Sequence, residues 1–274
     1  MIYEIITLIL SISTSGLIIY FTGLYSIWWC VLLLVLAIPF IFIIYISLLL
    51  GFIYIESLII GTKRPVKKIS KHSLFVIKQL AKMLLDVSNV KLVIKGKELL
   101  PKETAMFISN HRSGYDPFPI NLVVKENPIV CVTKPENLKI PFCGPYIHSA
   151  GYIVMDRENN FEAVKSIIQG ANYIKKNQAS VYIFPEGTRN KGEKDTLCPF
   201  HAGSFKMALR AKCPIVVMAL RNTDDIKNRW PRRTKVYIDI IKVLQYEEYK
   251  DKTSTDLALE CEELIKGVIK EIKK

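Results

Sequence analysis

The sequence predicts an α/β domain, a mixed sheet covered by helices, preceded by one or two membrane-spanning helices. Three observations lead there. Strand-like and helix-like stretches alternate from about residue 90 onward, the pattern of a sheet with helical connections. Residues 1–62 hold no Lys or Arg, and their only acids are Glu4 and Glu56. The remaining chain sets 38 Lys and Arg against 23 Asp and Glu, a net +15 on a body suited to anionic partners.

The chain divides accordingly into a membrane anchor (1–62), a basic amphipathic interfacial helix (63–88) and a cytoplasmic α/β domain (89–274). Residues 2–60 exceed the ~20 apolar residues that cross a bilayer and accommodate two spans. The first, about Ile2 to Phe21, is interrupted by Ser11, Ser13, Thr14, Ser15 and Gly16. The second, about Ile27 to Ile55, opens on Trp28 and Trp29, which suit a headgroup interface, and contains Pro39, a possible kink. No basic n-region precedes the first, which argues against a signal peptide. Lys63, Arg64, Lys67, Lys68 and Lys71 then place the body on the cytoplasmic face by the positive-inside rule.

From Ile69 to Val87 the apolar residues Ile77, Leu80, Leu84 and Val87 recur at helical spacing, with Lys71, Lys78 and Lys82 on another face. Such a helix fits either a membrane surface or the body. Strands are predicted at Val90–Ile94, Ala105–Ser109, Ile129–Thr133, Tyr152–Met155, Val181–Phe184, Ile215–Leu220 and Lys235–Ile241. Helices are predicted at Pro117–Lys125, Phe161–Lys176, Ala202–Ala211 and Thr253–Lys274. Thr253 and Asp256 form a capping box for the last, whose stripe is Leu257, Cys261, Leu264, Val268 and Ile272. The six cysteines are scattered without metal-ligand spacing, so they read as reduced packing residues and no metal site is expected.

The chemistry concentrates at strand ends. In AMFISNHRSGYDPFP, residues 105–119, a strand breaks into a turn holding His111 and Asp116. On a regular helix the two would point about 140° apart, so contact needs a turn, for which Gly114 offers freedom. An imidazole there can act as general base with the carboxylate fixing its tautomer. Asp116 before Pro117 also suits a helix N-cap. FPEGTRN, residues 184–190, is a second such strand end: Gly187 permits close backbone approach, and Arg189 offers a planar fork for phosphate oxygens. GYIVMDR closes on Asp156 and Arg157, and Lys134 follows Ile129–Thr133. Cations at several strand ends suit an anionic substrate.

In spacing and order, NHRSGYD, GYIVMDR, FPEGTRN and FHAGSFKMALRAKCPIVVMAL resemble the four successive blocks of the glycerolipid acyltransferases, specifically the 1-acyl-sn-glycerol-3-phosphate acyltransferases. The resemblance runs from about Val90 to Leu220. It implies His111 as general base and Asp116 as its orienting partner, with Lys134, Arg157, Glu186, Gly187, Thr188 and Arg189 binding substrate and Pro214 near the acyl-donor side. It further implies acyl transfer to the sn-2 hydroxyl of lysophosphatidate, from acyl-CoA or acyl-carrier protein as donor substrate and with no cofactor. Met155 and the Val217-Met218 pair depart from the family pattern and bear on acyl-chain fit more than on proton transfer.

Two rivals remain at this level. Another lysophospholipid or glycerol 3-phosphate could be the acceptor, or the chain could be a membrane-anchored protein that binds anionic lipid or acyl carrier without turnover. The basic loop from Arg221 to Lys235, with Trp230 among Arg229, Arg232 and Arg233, would serve either class. A binding protein needs only the cations, so the His111–Asp116 pair favours an enzyme. Positive charge beside membrane spans also argues for membrane lipid and against nucleic acid as partner.

Overall fold

A computed structural model describes residues 2–22, 28–62, 66, 68–124, 127–156, 159–194 and 196–271. Lys63, Arg64, Lys67, Arg157, Lys125 and Ile272 to Lys274 lie outside them. Two apolar helices lead, α1 (Ile2–Thr22) and α2 (Trp28–Ile60), both long and apolar enough to cross a bilayer. The small polar residues that interrupt the first predicted span have a packing role. Thr7, Ser11 and Ser15 recur every fourth residue and are buried, and Thr14 Oγ1 hydrogen-bonds Tyr45 Oη of α2 at 2.8 Å. Ser11 and Ser15 hydroxyls donate to the carbonyls of Thr7 and Ser11, so no donor is left bare. α2 continues through Pro39, and its outer face, including Phe40, Leu48, Phe52 and Ile59, is exposed.

The carboxyl-terminal part of α2 docks on the body. Ile53 packs with Val76 of α3 (Lys71–Val87) and Tyr146 of α5 (Cys143–Ser149). Glu56, one of the two acids of the head, accepts from Tyr146 Oη at 2.7 Å and lies 2.7 Å from His72 Nε2. Ser70 caps α3 by accepting from the Ser73 N–H. α3 presents Val76, Ala81 and Leu85 inward, but Val87, expected on that stripe, is 66% exposed.

The sheet orders its strands β1 (Val90–Lys95), β7 (Thr234–Leu244), β6 (Ile215–Arg221), β2 (Met106–Ser109), β5 (Ser180–Ile183), β3 (Ile129–Thr133) and β4 (Ile153–Val154). Neighbours are parallel except β6 and β7, which run antiparallel. The carboxyl ends of β2, β3, β4, β5 and β6 therefore share one edge, where β1 and β7 begin. β2, β5 and β6 are buried on both faces, which is why they read as continuous apolar runs.

Two helical groups cover this sheet. α6 (Asn160–Lys175), α7 (Ala202–Ala211) and α10 (Ser254–Glu271) pack side by side, while α3 packs on α4 (Pro117–Val123) and α5. The Thr253 capping box forms, with Thr253 N to Asp256 Oδ2 at 3.1 Å and Asp256 N to Thr253 Oγ1 at 3.2 Å. Two short helices, α8 (Asp225–Arg229) and α9 (Tyr246–Tyr249), flank β7.

Candidate active site

β2 ends at Ser109, and the next two residues are locked before any chemistry begins. Asn110 uses its whole amide: Nδ2 donates to the Leu220 carbonyl at 2.9 Å, and Oδ1 accepts from Leu220 N at 2.8 Å. This pair mimics a peptide and ties the end of β2 to β6. His111 follows, held at four points. Its N–H donates to Glu186 Oε1 at 2.6 Å, and its carbonyl accepts from Asn190 N at 2.8 Å. Nδ1 bonds Asp116 Oδ2 at 2.7 Å, and the ring stacks on Phe184 with centroids 4.0 Å apart and planes inclined by 16°.

Asp116 is fully buried, and its Oδ2 gathers three donors. Besides His111 Nδ1, it accepts the backbone N–H of Arg112 at 2.7 Å and of Ser113 at 2.8 Å. The carboxylate thus shapes the turn from within and makes no side-chain cap on α4. The expectation that Gly114 supplies an unusual conformation is not met, since Gly114 is absent from the positive-φ glycines. A Cβ at Gly114 would sit 3.6 Å from Arg189 Nη1, which puts that guanidinium directly over the turn. With an acceptor fixed at Nδ1, the proton belongs there and Nε2 is left as the basic lone pair.

Glu186 is a clamp within the site. It is buried, and its oxygens receive His111 N and, at 2.8 Å, Cys198 N. Burial pushes its carboxyl above the usual range, opposed by those two N–H donors. Gly187 adopts φ 75°, a conformation that L side chains resist, and its N–H closes the turn on the Phe184 carbonyl at 3.1 Å. Thr188 and Arg189 beyond it are exposed. Lys134 sits at the end of β3, two strands from β2 across β5, so roughly 10 Å separates the two backbones.

Arg112 is spoken for. Its guanidinium donates to the carbonyls of Glu193 at 2.8 Å and Gly192 at 2.9 Å, and Nε faces Asp224 at 3.5 Å. It fastens the segment after FPEGTRN to the turn. Pro214 is a correction: its carbonyl accepts from Met106 N at the start of β2, so it lies on the edge of the sheet opposite His111. Phe184 and Asn190 stand in the FPEGTRN block, where residue type alone assigns them no role. Their neighbourhood to Glu186 was the available signal, but only the fold shows that they meet His111.

The chain is similar to known proteins in sequence and in fold. A family model described as Acyltransferase covers residues 91–221. The 1-acyl-sn-glycerol-3-phosphate acyltransferase of Haemophilus influenzae is 34% identical over 170 residues, 61% of this chain and 69% of that protein. The chain belongs to the 1-acyl-sn-glycerol-3-phosphate acyltransferase family. The member from Borreliella burgdorferi is 30% identical over 192 residues, 68% of this chain and 75% of its own. The crystal structure of the 1-acyl-sn-glycerophosphate (LPA) acyltransferase from Thermotoga maritima shares the fold at a TM-score of 0.61 and 22% identity, covering 88% of this chain and 95% of that one. The mixed sheet covered by helices is thus a fold shared with that structure, and the chain is by class an O-acyltransferase.

Proposed function

We propose that this chain transfers a fatty acyl group from the thioester of acyl-CoA or acyl-carrier protein to the sn-2 hydroxyl of lysophosphatidate, giving phosphatidate. The observation that carries the reading is the 2.7 Å contact between His111 Nδ1 and Asp116 Oδ2, which leaves Nε2 as base. Nε2 takes the hydroxyl proton as the oxygen attacks the thioester carbonyl. The C–S bond breaks, and the carrier thiolate leaves and collects the proton from His111. Asp116 stabilises the imidazolium formed on the way. A thioester is already activated and thiolate is a good leaving group, so the chemistry calls on no metal or cofactor.

Arg189 over the turn and Lys134 on the same sheet edge would hold the phosphate, and the family resemblance adds Arg157, which lies outside the described residues. Such positioning places the hydroxyl near Nε2 and contributes to both rate and specificity. Gly187 and Thr188 would line the acceptor side, while Glu186 acts by fixing the His111 backbone. α1 and α2 would anchor the protein in the membrane that supplies the lysolipid. The cationic segment after α2 supports a cytoplasmic body. The exposed apolar face of α2 supports the anchor, and neither role involves nucleic acid.

The test is an acyl-transfer assay on the purified full chain in vesicles, offering lysophosphatidate, lysophosphatidylcholine, lysophosphatidylglycerol and glycerol 3-phosphate. Acylation of another acceptor but not of lysophosphatidate would overturn the phosphate-monoester assignment. His111→Ala should lower kcat by ~10²- to 10⁴-fold in a folded protein. Near-native turnover would remove His111 as base, and no turnover by the native chain on any acceptor would leave only a binding role.

A further inference from the structure

Trp230 is 61% exposed, and its ring is fixed by a 3.2 Å hydrogen bond from Nε1 to the carbonyl of Val87. Val87, the last residue of α3, is itself 66% exposed. The only polar atom of the indole is therefore turned back onto the protein, and carbon is what the ring offers outward. Around it stand Lys227, Arg229, Arg232, Arg233 and Lys235, all exposed. The nearby acids are already engaged, Asp224 with Arg112 and Asp225 with Lys194 at 2.6 Å. Among the described residues, none of the three arginines pairs with a carboxylate. An exposed aromatic ringed by unpaired cations is the composition of a headgroup contact.

Position gives the patch an occupant. α3 begins beside α2, where His72 meets Glu56, and ends beside Trp230, so its 17 residues hold the two places about 25 Å apart. Exposed Lys68 and Lys71 flank the near end, as the arginines flank the far one. The far end lies by the sheet edge that carries His111, since β1 and β7 start there, paired from Val90 and Thr234. Asn89 Nδ2 also donates to the Pro231 carbonyl at 3.0 Å, fastening the loop to the turn between α3 and β1. The segment reaches the site as well: Ile226 of α8 packs in one cluster with Leu85, Val236, Tyr115 and Phe118, and Tyr115 belongs to the His111–Asp116 turn.

We propose that the Trp230 loop is a second contact with the bilayer, selective for anionic lipid, that holds the His111 edge of the domain against the membrane at the end of α3 opposite α2. The inference rests on the membrane reading of α1 and α2 given above. An acidic carrier protein would also be drawn to the cations, but it gives no reason for the bare indole and Val87 side chain to continue the line of a helix that starts at a membrane span. A membrane-resident acceptor does give that reason, because the mouth of its site must face the bilayer.

The test uses the full chain with Trp28→Phe and Trp29→Phe, which leaves Trp230 as the sole tryptophan. It is reconstituted in vesicles of phosphatidylcholine, with or without phosphatidylglycerol, each in plain and brominated-lipid forms. Brominated lipid should quench Trp230 in the anionic vesicles and acrylamide should reach it several-fold less than in the neutral ones. High salt should reverse both effects. Trp230 equally open to acrylamide in both vesicles, or shielded only after acyl-carrier protein is added, would overturn the proposal.

A second variant, Arg229→Gln/Arg232→Gln/Arg233→Gln in the native background, guards against a folding defect in the first. It should match the native rate in detergent micelles yet lose the rate gain that phosphatidylglycerol gives the native chain. An unchanged gain would refute the contact. The two readings fail separately: if Trp230 stays wet while the chain remains in the bilayer and acylates lysophosphatidate, only this proposal falls.

Discussion

Replacing Asp116 with Asn separates the two tasks the geometry gives this carboxylate. Three donors converge on Oδ2, namely His111 Nδ1, Arg112 N and Ser113 N, while Oδ1 is buried without a hydrogen-bond partner. An asparagine therefore has one favourable orientation, with its carbonyl oxygen in the place of Oδ2 and its NH2 in the place of Oδ1. The turn and the His111 tautomer survive, and what disappears is the negative charge facing the imidazolium. Unit charges about 4 Å apart at an effective dielectric of about 20 interact by about 4 kcal/mol. His111 is 18% exposed and solvent takes part of this, so a loss of about 3–4 kcal/mol is expected, a fall in kcat between about 10²- and 10³-fold. Asp116→Ala instead strands three donors at about 1–3 kcal/mol each and should unfold the turn. Initial rates on lysophosphatidate, paired with thermal unfolding in detergent, read both quantities. An Asn variant that folds and turns over within about tenfold of native would refute the electrostatic role. One as unstable as the Ala variant would refute the orientation argued from Oδ1.

Three further outcomes follow from the same contacts. Glu186→Gln can accept only one of the two N–H groups that Glu186 now receives and turns an NH2 toward the other, which should cost about 1–3 kcal/mol and depress kcat by displacing His111; native Tm and kcat together would show that the clamp is dispensable. Gly144→Ala places a methyl against the backbone carbonyl of Leu138 at the start of α5, so unfolding should begin about 1–3 kcal/mol earlier, and unchanged stability would mean that the β3–α5 connection yields freely. Burial pushes the thiols of Cys131, Cys213 and Cys261 up to about 12, leaving about one thiolate in 10⁴ at pH 8, so alkylation mapped by mass spectrometry should reach them only after unfolding, and Cys143 and Cys198 first, though slowly because both are raised as well.

The strands and long helices were legible because local pattern and tertiary environment agree on them. Ile129–Thr133 and Ala202–Ala211 coincide with β3 and α7 residue for residue. α5 was not legible: IPFCGPY reads as a loop, with two prolines and a glycine, and its helix owes its place to Tyr146, which is buried and bonded to α2. α8 likewise stands on one buried residue, Ile226, in a segment that otherwise reads as solvated charge. Short helices of this kind carry too few residues for a period to show and take their stability from contacts distant in sequence.

The same distinction explains what could be read of the site. His111 and Asp116 are five apart, so their pairing is a local matter that residue types and spacing can raise as a hypothesis. The other restraints on His111 come from 75 residues away in the case of Glu186, and from Phe184 and Asn190 in the same strand end. They meet only because β2 and β5 are adjacent and parallel, with Ile108 paired to Ile183. That register brings the residues following Ser109 level with those following Ile183, so FPEGTRN closes over the His111 turn as its second wall. Arg189 then reaches Gly114 and Arg112 reaches back to Gly192 and Glu193, a mutual exchange of arginines across the two turns. Of these two guanidiniums Arg112 is consumed by protein carbonyls, while Arg189 stays exposed over the turn. The division of labour between two arginines that look alike in sequence is fixed by strand order, and strand order is what no single block of residues contains.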